Sequence, residues 1–202
     1  GFYRGLGIED TAAVLQRVDK FDKIGPGAVA ALLRDELGLS ELVASRCVEL
    51  ATICTTDDSF VSRVRSLGVR SEMLDEGLDA LADVLNAARA HVPGRMVADL
   101  KIARGLDYYT GTVYETELVG HESLGSVSSG GRYDSLASDG KRTYPGVGIS
   151  LGLTRLLVPL MARGAISASR SVPSCVLVAV DDEATRCVAM EVAALLRGRG
   201  IC

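Results

Sequence analysis

The first hundred residues carry apolar positions at helical spacing. Leucines recur every three or four residues from Leu74 to Leu85, directly after Ser71, and this pattern predicts an amphipathic helix with a serine cap. Ser40 precedes a second apolar stripe over residues 43–50 in the same way. The repeated pattern therefore predicts a helical region over residues 1–94.

The hydrophobic period changes from 3.6 to 2 at about Arg95. Residues 97–104 predict a strand in which Arg104 shares one face with three apolar side chains. A buried guanidinium is costly unless it meets a carboxylate, a phosphate or a ligand. Residues 108–119 are rich in Tyr, Thr and Val and predict a second strand. From these residues alone, a half-buried hairpin with one ion pair is the simpler interpretation.

Two glycine-rich segments follow. Glycines within residues 126–131 are typical of a close backbone approach to a ligand, although a bulge or tight bend explains them as well. Residues 147–151 predict a buried strand that leads into a helix from about Leu153, with Arg155 in its first turn. Backbone N–H groups and a guanidinium at a helix start suit a phosphate, and the alternative for Arg155 is an ordinary surface position.

After the predicted helix that carries Arg155, the sequence predicts a linker followed by one strand and one helix. Residues 164–173 predict a linker, because they are rich in Ala and Ser and close with Pro173. Residues 175–180 then predict a buried strand, and residues 181–199 predict a helix. One βα unit cannot cover both faces of its own strand.

Charge and cysteine usage narrow the class of protein. Residues 1–100 hold 11 basic and 16 acidic side chains, and residues 101–202 hold 11 and 10, which excludes a polybasic nucleic-acid binder. Five dispersed cysteines without a Cys-x-x-Cys pair, beside two histidines, argue against a zinc site and predict reduced thiols in a cytoplasmic protein. The apolar runs are too short to span a bilayer, so no membrane association is expected.

Three segments, in order, resemble signatures of the histidyl-tRNA synthetases. Residues 104–115, Arg-Gly-Leu-Asp-Tyr-Tyr-Thr-Gly-Thr-Val-Tyr-Glu, are similar to the first signature of that family, and residues 129–134, Ser-Gly-Gly-Arg-Tyr-Asp, to the second. Residues 146–156 resemble motif 3 of class II synthetases. Residues 19–25 resemble the segment that opens the helical insertion of bacterial members.

The resemblance implies an α+β fold. It corresponds to the C-terminal half of a class II antiparallel-sheet catalytic domain with a helical insertion, followed by the first βα unit of an α/β anticodon-binding domain. The implied divisions are a helical insertion (1–94), the second half of the catalytic domain (95–163), a linker (164–173) and the start of the anticodon-binding domain (174–202). Motifs 1 and 2 are not found, so the chain is expected to be a fragment that is inactive alone.

In the implied reaction, histidine and ATP form histidyl-adenylate and pyrophosphate. The histidine is then transferred from the adenylate to tRNA(His). Arg104 would act catalytically by holding the histidine carboxylate and the ATP α-phosphate. Magnesium would ride on the nucleotide phosphates, no residue is assigned to a metal, and a full-length homodimer is expected. The implied site residues are Arg104, Tyr108, Tyr109, Gly130 and Tyr133 for histidine, and Gly152 and Arg155 for ATP.

Two other functions share this type of fold. One is the histidyl-synthetase-like regulatory subunit of ATP phosphoribosyltransferase, which binds histidine without synthetase chemistry. The βα unit after Pro173 and the intact segment 104–115 count against it. The other is a synthetase-like RNA-sensing module fused to a kinase, for which the sequence offers no kinase motif.

Overall fold

The computed structural model describes residues 1–103, 108–168, 172 and 174–201. It contains two compact units, Gly1–Gly152 and Leu153–Cys202. The first unit begins with helices and continues into a three-stranded antiparallel sheet. The division predicted between residues 94 and 95 lies inside this first unit, and the predicted domain boundaries stay predictions.

Six helices form the helical region of the first unit. Their first turns follow the predicted chemistry, since the Ser40 and Ser71 hydroxyl groups accept hydrogen bonds from the N–H groups of Val43 (3.3 Å) and Leu74 (3.2 Å). Both predicted serine caps are therefore confirmed. The helices are α1 Phe2–Gly5, α2 Thr11–Val18, α3 Phe21–Asp35, α4 Glu41–Ala51, α5 Ser59–Ser66 and α6 Glu72–Arg89.

The core of the first unit lies among these helices. Leu33 and Phe60 are fully buried, and every member of the buried apolar cluster falls between Phe2 and Ala98. The helix α3 is interrupted at Gly25, whose φ of 79° is outside helical geometry. That conformation suits glycine because it lacks a Cβ.

A short antiparallel ribbon connects the helical region to the segment that follows. Strand β1, Cys54–Thr55, pairs with β2, Ala98–Asp99, so the strand predicted over residues 97–104 is much shorter than expected in the described part of the chain. The Lys101 ammonium contacts the carboxylates of Asp99 (3.0 Å) and Asp22 (3.2 Å). The contact with Asp22 ties the segment before residue 104 to helix α3.

The second sheet has the strand order β3-β4-β5, with both pairings antiparallel. Its strands are β3 Val113–Thr116, β4 Ser128–Tyr133 and β5 Gly146–Leu151. The strand predicted over residues 108–119 is thus shortened to four residues. The mixture of helices with antiparallel sheets confirms the α+β fold class.

Strand β5 forms where the sequence predicts it, but it is not buried. Val147, Ile149 and Leu151 are 67%, 69% and 55% exposed. The strand lies at the edge of the sheet and pairs only with β4 within the described residues. The burial predicted for residues 147–151 is therefore wrong, because Val147, Ile149 and Leu151 share one face of an edge strand and nothing in the described residues covers that face.

The second unit is helical. Helix α7 spans Leu153–Ala162, and a 3-10 turn, Glu183–Thr185, leads into α8, Arg186–Gly198, as the sequence predicts for this helix. Residues 175–180 run without strand pairing, and Leu177 is 92% exposed, so the predicted buried strand is not formed. A strand requires a neighbour for its backbone hydrogen bonds. In the described ranges no helix is both long and apolar enough to cross a membrane.

Candidate functional site

Two tyrosine rings lie against glycines of the three-stranded sheet. A Cβ atom at Gly131 would stand 2.9 Å from Cδ1 of Tyr109, and one at Gly148 would stand 3.2 Å from Cε1 of Tyr133. Side chains larger than hydrogen at these positions would displace the rings. Glycine is therefore required at these positions for a steric reason, because only glycine lets the aromatic rings rest on the backbone.

The register places both rings on one face of the sheet. Gly131 pairs directly with Gly148, and Tyr133 pairs with Gly146. Residues opposite each other in neighbouring strands share a face, and alternate residues along a strand share it as well. Tyr109 and Tyr133 thus lie side by side above a glycine-lined surface. We refer to Tyr108, Tyr109 and Tyr133 as the tyrosine cluster.

Tyr108 completes the cluster from the solvent side. Its ring is 44% exposed and lies 4.2 Å from the ring of Tyr109, centroid to centroid, at an interplanar angle of 50°. The pKa of Tyr109 is raised to about 12. The hydrogen bond with the Tyr108 hydroxyl is the largest cause, and loss of hydration is the second. The Tyr109 hydroxyl is protonated at physiological pH, as in any tyrosine, and the hydrogen bond with Tyr108 favours that form further.

Gly130 occupies the opposite face of the sheet. It pairs with Tyr114 on one side and with Ile149 on the other. A Cβ there would overlap the Gly148 carbonyl oxygen and would lie 2.6 Å from Cε2 of Tyr114. The Tyr114 hydroxyl donates to that same carbonyl oxygen at 2.8 Å. Gly130 thus allows the Tyr114 side chain to bridge β3 and β5, and its predicted contact with histidine remains a prediction.

The structure shows that further residues form side-chain hydrogen bonds near the tyrosine cluster, which the sequence did not suggest. Besides Tyr114, these are Thr110, whose hydroxyl donates to the Asp134 carboxylate at 2.8 Å, and Arg132, whose Nε–H donates to the other Asp134 oxygen at 3.1 Å. Spacing alone could not reveal them, because residues 110 and 134 meet only through strand pairing. The single available signal was their position inside the two tyrosine-containing segments.

The structure does not show the remaining predicted site residues, Arg104, Gly152 and Arg155, beside the tyrosine cluster. Arg104 lies outside the described residues. Gly152 ends the first unit, and its N–H donates to the Val127 carbonyl oxygen at 2.9 Å. Arg155 lies in the first turn of α7, as predicted, and its side chain is exposed. The two ATP residues thus belong to different compact units.

An apolar groove of about 210 Å³ lies in the helical region. Its walls are carbon-rich, and the lining includes Phe2, Leu78 and Leu100 but no charged side chain. A ligand site needs a few convergent polar groups to orient its ligand. The groove therefore does not compete with the tyrosine cluster as the candidate site.

Comparison with known proteins agrees with the three signature segments. The family model described as histidyl-tRNA synthetase matches residues 22–156, a range that contains the whole tyrosine cluster. A histidine–tRNA ligase of Cutibacterium acnes is 69% identical over 201 residues, which is 100% of this chain and 44% of the relative. A histidine–tRNA ligase of Micrococcus luteus is 58% identical with the same coverage. The chain thus spans less than half the length of these relatives.

Solved structures give the same result at the level of the fold. The crystal structure of histidyl-tRNA synthetase from Nostoc sp. PCC 7120 matches 99% of this chain and 48% of its own, with a TM-score of 0.75 and 34% identity. An ATP phosphoribosyltransferase regulatory subunit/histidyl-tRNA synthetase from Bacillus halodurans C matches with a TM-score of 0.57 and 23% identity, covering 100% of this chain and 50% of its own, which shows a shared fold alone. Since the family model covers most of the chain, this chain belongs to the histidyl-tRNA synthetase family.

Proposed function

We propose that this chain is part of a histidine–tRNA ligase. Such an enzyme joins histidine to ATP, releases pyrophosphate, and transfers histidine from the adenylate to tRNA(His). The observation that carries the proposal is the tyrosine cluster on its glycine-lined face, inside the region that the family model matches. The names of the close relatives support the same reaction.

The tyrosine cluster suits a histidine side chain. Imidazole is a flat ring with polar edges, and tyrosine offers a flat apolar body with a polar tip. The neutral Tyr109 hydroxyl can donate and accept hydrogen bonds there. Gly131 and Gly148 let the rings of Tyr109 and Tyr133 rest directly against the sheet, which fixes where the rings stand. Tyr108, Tyr109 and Tyr133 would form the pocket, whereas Gly130, on the opposite face of β4, would support it indirectly by letting Tyr114 bridge β3 and β5.

Arg104 is proposed to supply the fixed positive charge. It would hold the histidine carboxylate beside the ATP α-phosphate and oppose the negative charge that grows during in-line attack. The histidine carboxylate is already ionised, so the step needs no general base. Arg104 lies outside the described residues, and its role rests on the resemblance of residues 104–115 to the family signature.

The ATP side is proposed to include Gly152 and Arg155. Because the Gly152 N–H already donates to Val127, Gly152 would contribute close approach of the nucleotide rather than a hydrogen bond. Arg155 would place a guanidinium at the start of α7 for the phosphates. Magnesium would arrive on the ATP phosphates and balance their charge.

The chain alone is proposed to be inactive. It spans 44% of the Cutibacterium acnes and Micrococcus luteus relatives, and motifs 1 and 2 are not found in it. We refer to the longer protein that contains this chain as the full-length enzyme, and propose that it works as a homodimer in the cytoplasm. The described cysteines Cys47, Cys54, Cys175 and Cys187 are all free thiols, in keeping with a reducing compartment.

Histidine-dependent ATP–pyrophosphate exchange tests the proposal. The full-length enzyme should show exchange with histidine and not with other amino acids, while the 202-residue chain should show none. Exchange by the chain alone would contradict its proposed inactivity. Absence of exchange in the full-length enzyme, with histidine still bound by calorimetry, would favour the regulatory subunit of ATP phosphoribosyltransferase instead.

A further inference from the structure

The segment that follows Tyr109 is fastened to strand β4 beyond the regular strand pairing. The Thr110 N–H donates to the Arg132 carbonyl oxygen at 2.9 Å, and the Arg132 N–H donates to the Thr112 carbonyl oxygen at 3.0 Å. Regular pairing of β3 with β4 begins only at Val113. These two bonds therefore continue the sheet up to the residue next to Tyr109.

The Asp134 carboxylate adds side-chain hydrogen bonds to these backbone hydrogen bonds. Asp134 accepts the Thr110 hydroxyl on Oδ2 at 2.8 Å and the Arg132 Nε–H on Oδ1 at 3.1 Å. The two donors come from the two segments that carry the tyrosines. Both hydrogen bonds lower the pKa of Asp134, the Thr110 bond most strongly, so the carboxylate is ionised at neutral pH.

The connected residues alternate with the tyrosine cluster along the chain. Tyr109 immediately precedes Thr110, and Tyr133 lies between Arg132 and Asp134. The rings of both tyrosines rest on the glycine-lined face described above. A change in the distance between Thr110 and Asp134 would therefore change the distance between the two rings.

We propose that Asp134 is a positioning residue that acts through Thr110 to set the spacing of Tyr109 and Tyr133 for histidine. The inference rests on the proposed function, since it assumes that the tyrosine cluster receives histidine. Asp134 acts on the pocket through its neighbours and is not a catalytic residue. Its carboxylate geometry matters because each oxygen serves a different segment.

An ordinary surface ion pair is the alternative explanation. Asp134 and Arg132 keep 32% and 57% of their side-chain surface exposed, and exposed ion pairs add little to stability. A purely structural pair would leave histidine recognition unchanged when the Thr110 hydroxyl is removed. A positioning role predicts the opposite, because small displacements of binding groups have large effects on recognition.

Thr110→Val in the full-length enzyme is the main test. Valine keeps the shape of threonine and removes only the hydroxyl that reaches Asp134. The KM for histidine should rise on the order of tenfold, with kcat and the KM for ATP changed far less, since ground-state binding is what is lost. Thr110→Ser restores a hydroxyl and should recover most of the histidine affinity. Thr116→Val, the same change at an exposed position of β3, is the matched control.

A second readout does not depend on activity. With 3-fluorotyrosine in the 202-residue chain, the fluorine resonance of Tyr109, assigned through Tyr109→Phe, should shift in Thr110→Val and not in Thr116→Val. If the full-length enzyme shows no exchange but this shift occurs, the proposed function fails while the connection between Asp134 and Tyr109 stands. If exchange is normal and Thr110→Val keeps a wild-type histidine KM, the positioning role is overturned. An unmoved resonance overturns it as well.

Discussion

Residues 1–100, which contain the helical region and the ribbon of β1 and β2, differ from the three-stranded sheet in how they bury apolar side chains. The helices bury Leu33 and Phe60 completely, and the buried apolar cluster lies within this region. The sheet instead buries Gly130 and Gly131 and leaves Ile149 69% exposed. The helical region is thus organised by the hydrophobic effect, whereas the sheet is organised by backbone pairing and by the fit of tyrosine rings onto glycine.

This difference bears on what each region can do. A packed apolar core tolerates only small changes in volume. The sheet face on which tyrosine rings rest against glycine presents aromatic surface and hydroxyl groups to a ligand. The candidate chemistry therefore falls in the region with the smaller core.

The largest expected effect comes from Arg104→Ala in the full-length enzyme. Loss of the fixed charge should reduce histidine-dependent pyrophosphate exchange by about a hundredfold or more, while circular dichroism stays unchanged. Arg142→Ala, which removes an exposed cation from the loop before β5, is the control. Near-normal exchange in Arg104→Ala would remove this residue from the mechanism.

Isomeric side chains in the two regions give the next largest contrast. Leu33→Ala should lower the free energy of unfolding by about 2–5 kcal/mol, because it opens a cavity in a fully buried position. Ile149→Ala removes the same number of carbons from an exposed strand and should change the free energy by less than about 0.5 kcal/mol. Urea unfolding of the 202-residue chain, followed by far-ultraviolet circular dichroism, measures both. Equal losses would show that β5 is covered in solution.

Glycine substitutions should have opposite signs in the two regions. Gly130→Ala should destabilise the protein by about 1–3 kcal/mol through overpacking, since the added Cβ overlaps the Gly148 carbonyl oxygen. Gly77→Ala adds a methyl group to α6 where no atom lies within 4 Å, and it should stabilise the helix by about 0.5–1 kcal/mol. Thermal unfolding of the two variants checks the signs. Stabilisation by Gly130→Ala would mean that β4 and β5 are farther apart than described.

The smallest effect separates two reasons for a raised tyrosine pKa. Burial raises the pKa of Tyr3 in the helical region, whereas hydrogen bonding with Tyr108 is the largest cause at Tyr109. Tyr108→Phe should therefore return the pKa of Tyr109 from about 12 toward the ordinary value of 10, without affecting Tyr3. Ultraviolet titration of tyrosinate, with Tyr109→Phe to identify the transition, measures the change.

The same titration has a consequence for stability. A raised pKa means that the folded chain holds the Tyr109 proton more tightly than the unfolded chain does. The stabilisation is present in full below pH 10 and is lost as the pH rises toward about 12. In Tyr108→Phe the free energy of unfolding below pH 10 should be lower than in the unchanged chain. Its decrease with rising pH should also be complete closer to pH 10. An unchanged alkaline profile would show that Tyr108 does not interact with Tyr109 in solution.

Local patterns predicted the helices well. The serine caps at Ser40 and Ser71 and helix α8 all depend on residues that are neighbours in sequence. The strand predicted over residues 175–180 and the burial predicted for β5 failed, because each depends on a partner or a cover that sequence periodicity does not report. Apolar character alone says that a segment can be buried and not that something covers it.

The sequence by itself determined the helical region through short-range spacing, and the resemblance of its signature segments to the histidyl-tRNA synthetases implied the α+β class. Only the tertiary structure decided that the tyrosine rings lie on the face of Gly131 and not on that of Gly130, and that Asp134 reaches Thr110. The physical reason is strand register. Pairing brings together residues more than twenty positions apart, and a shift of one residue would exchange the two faces.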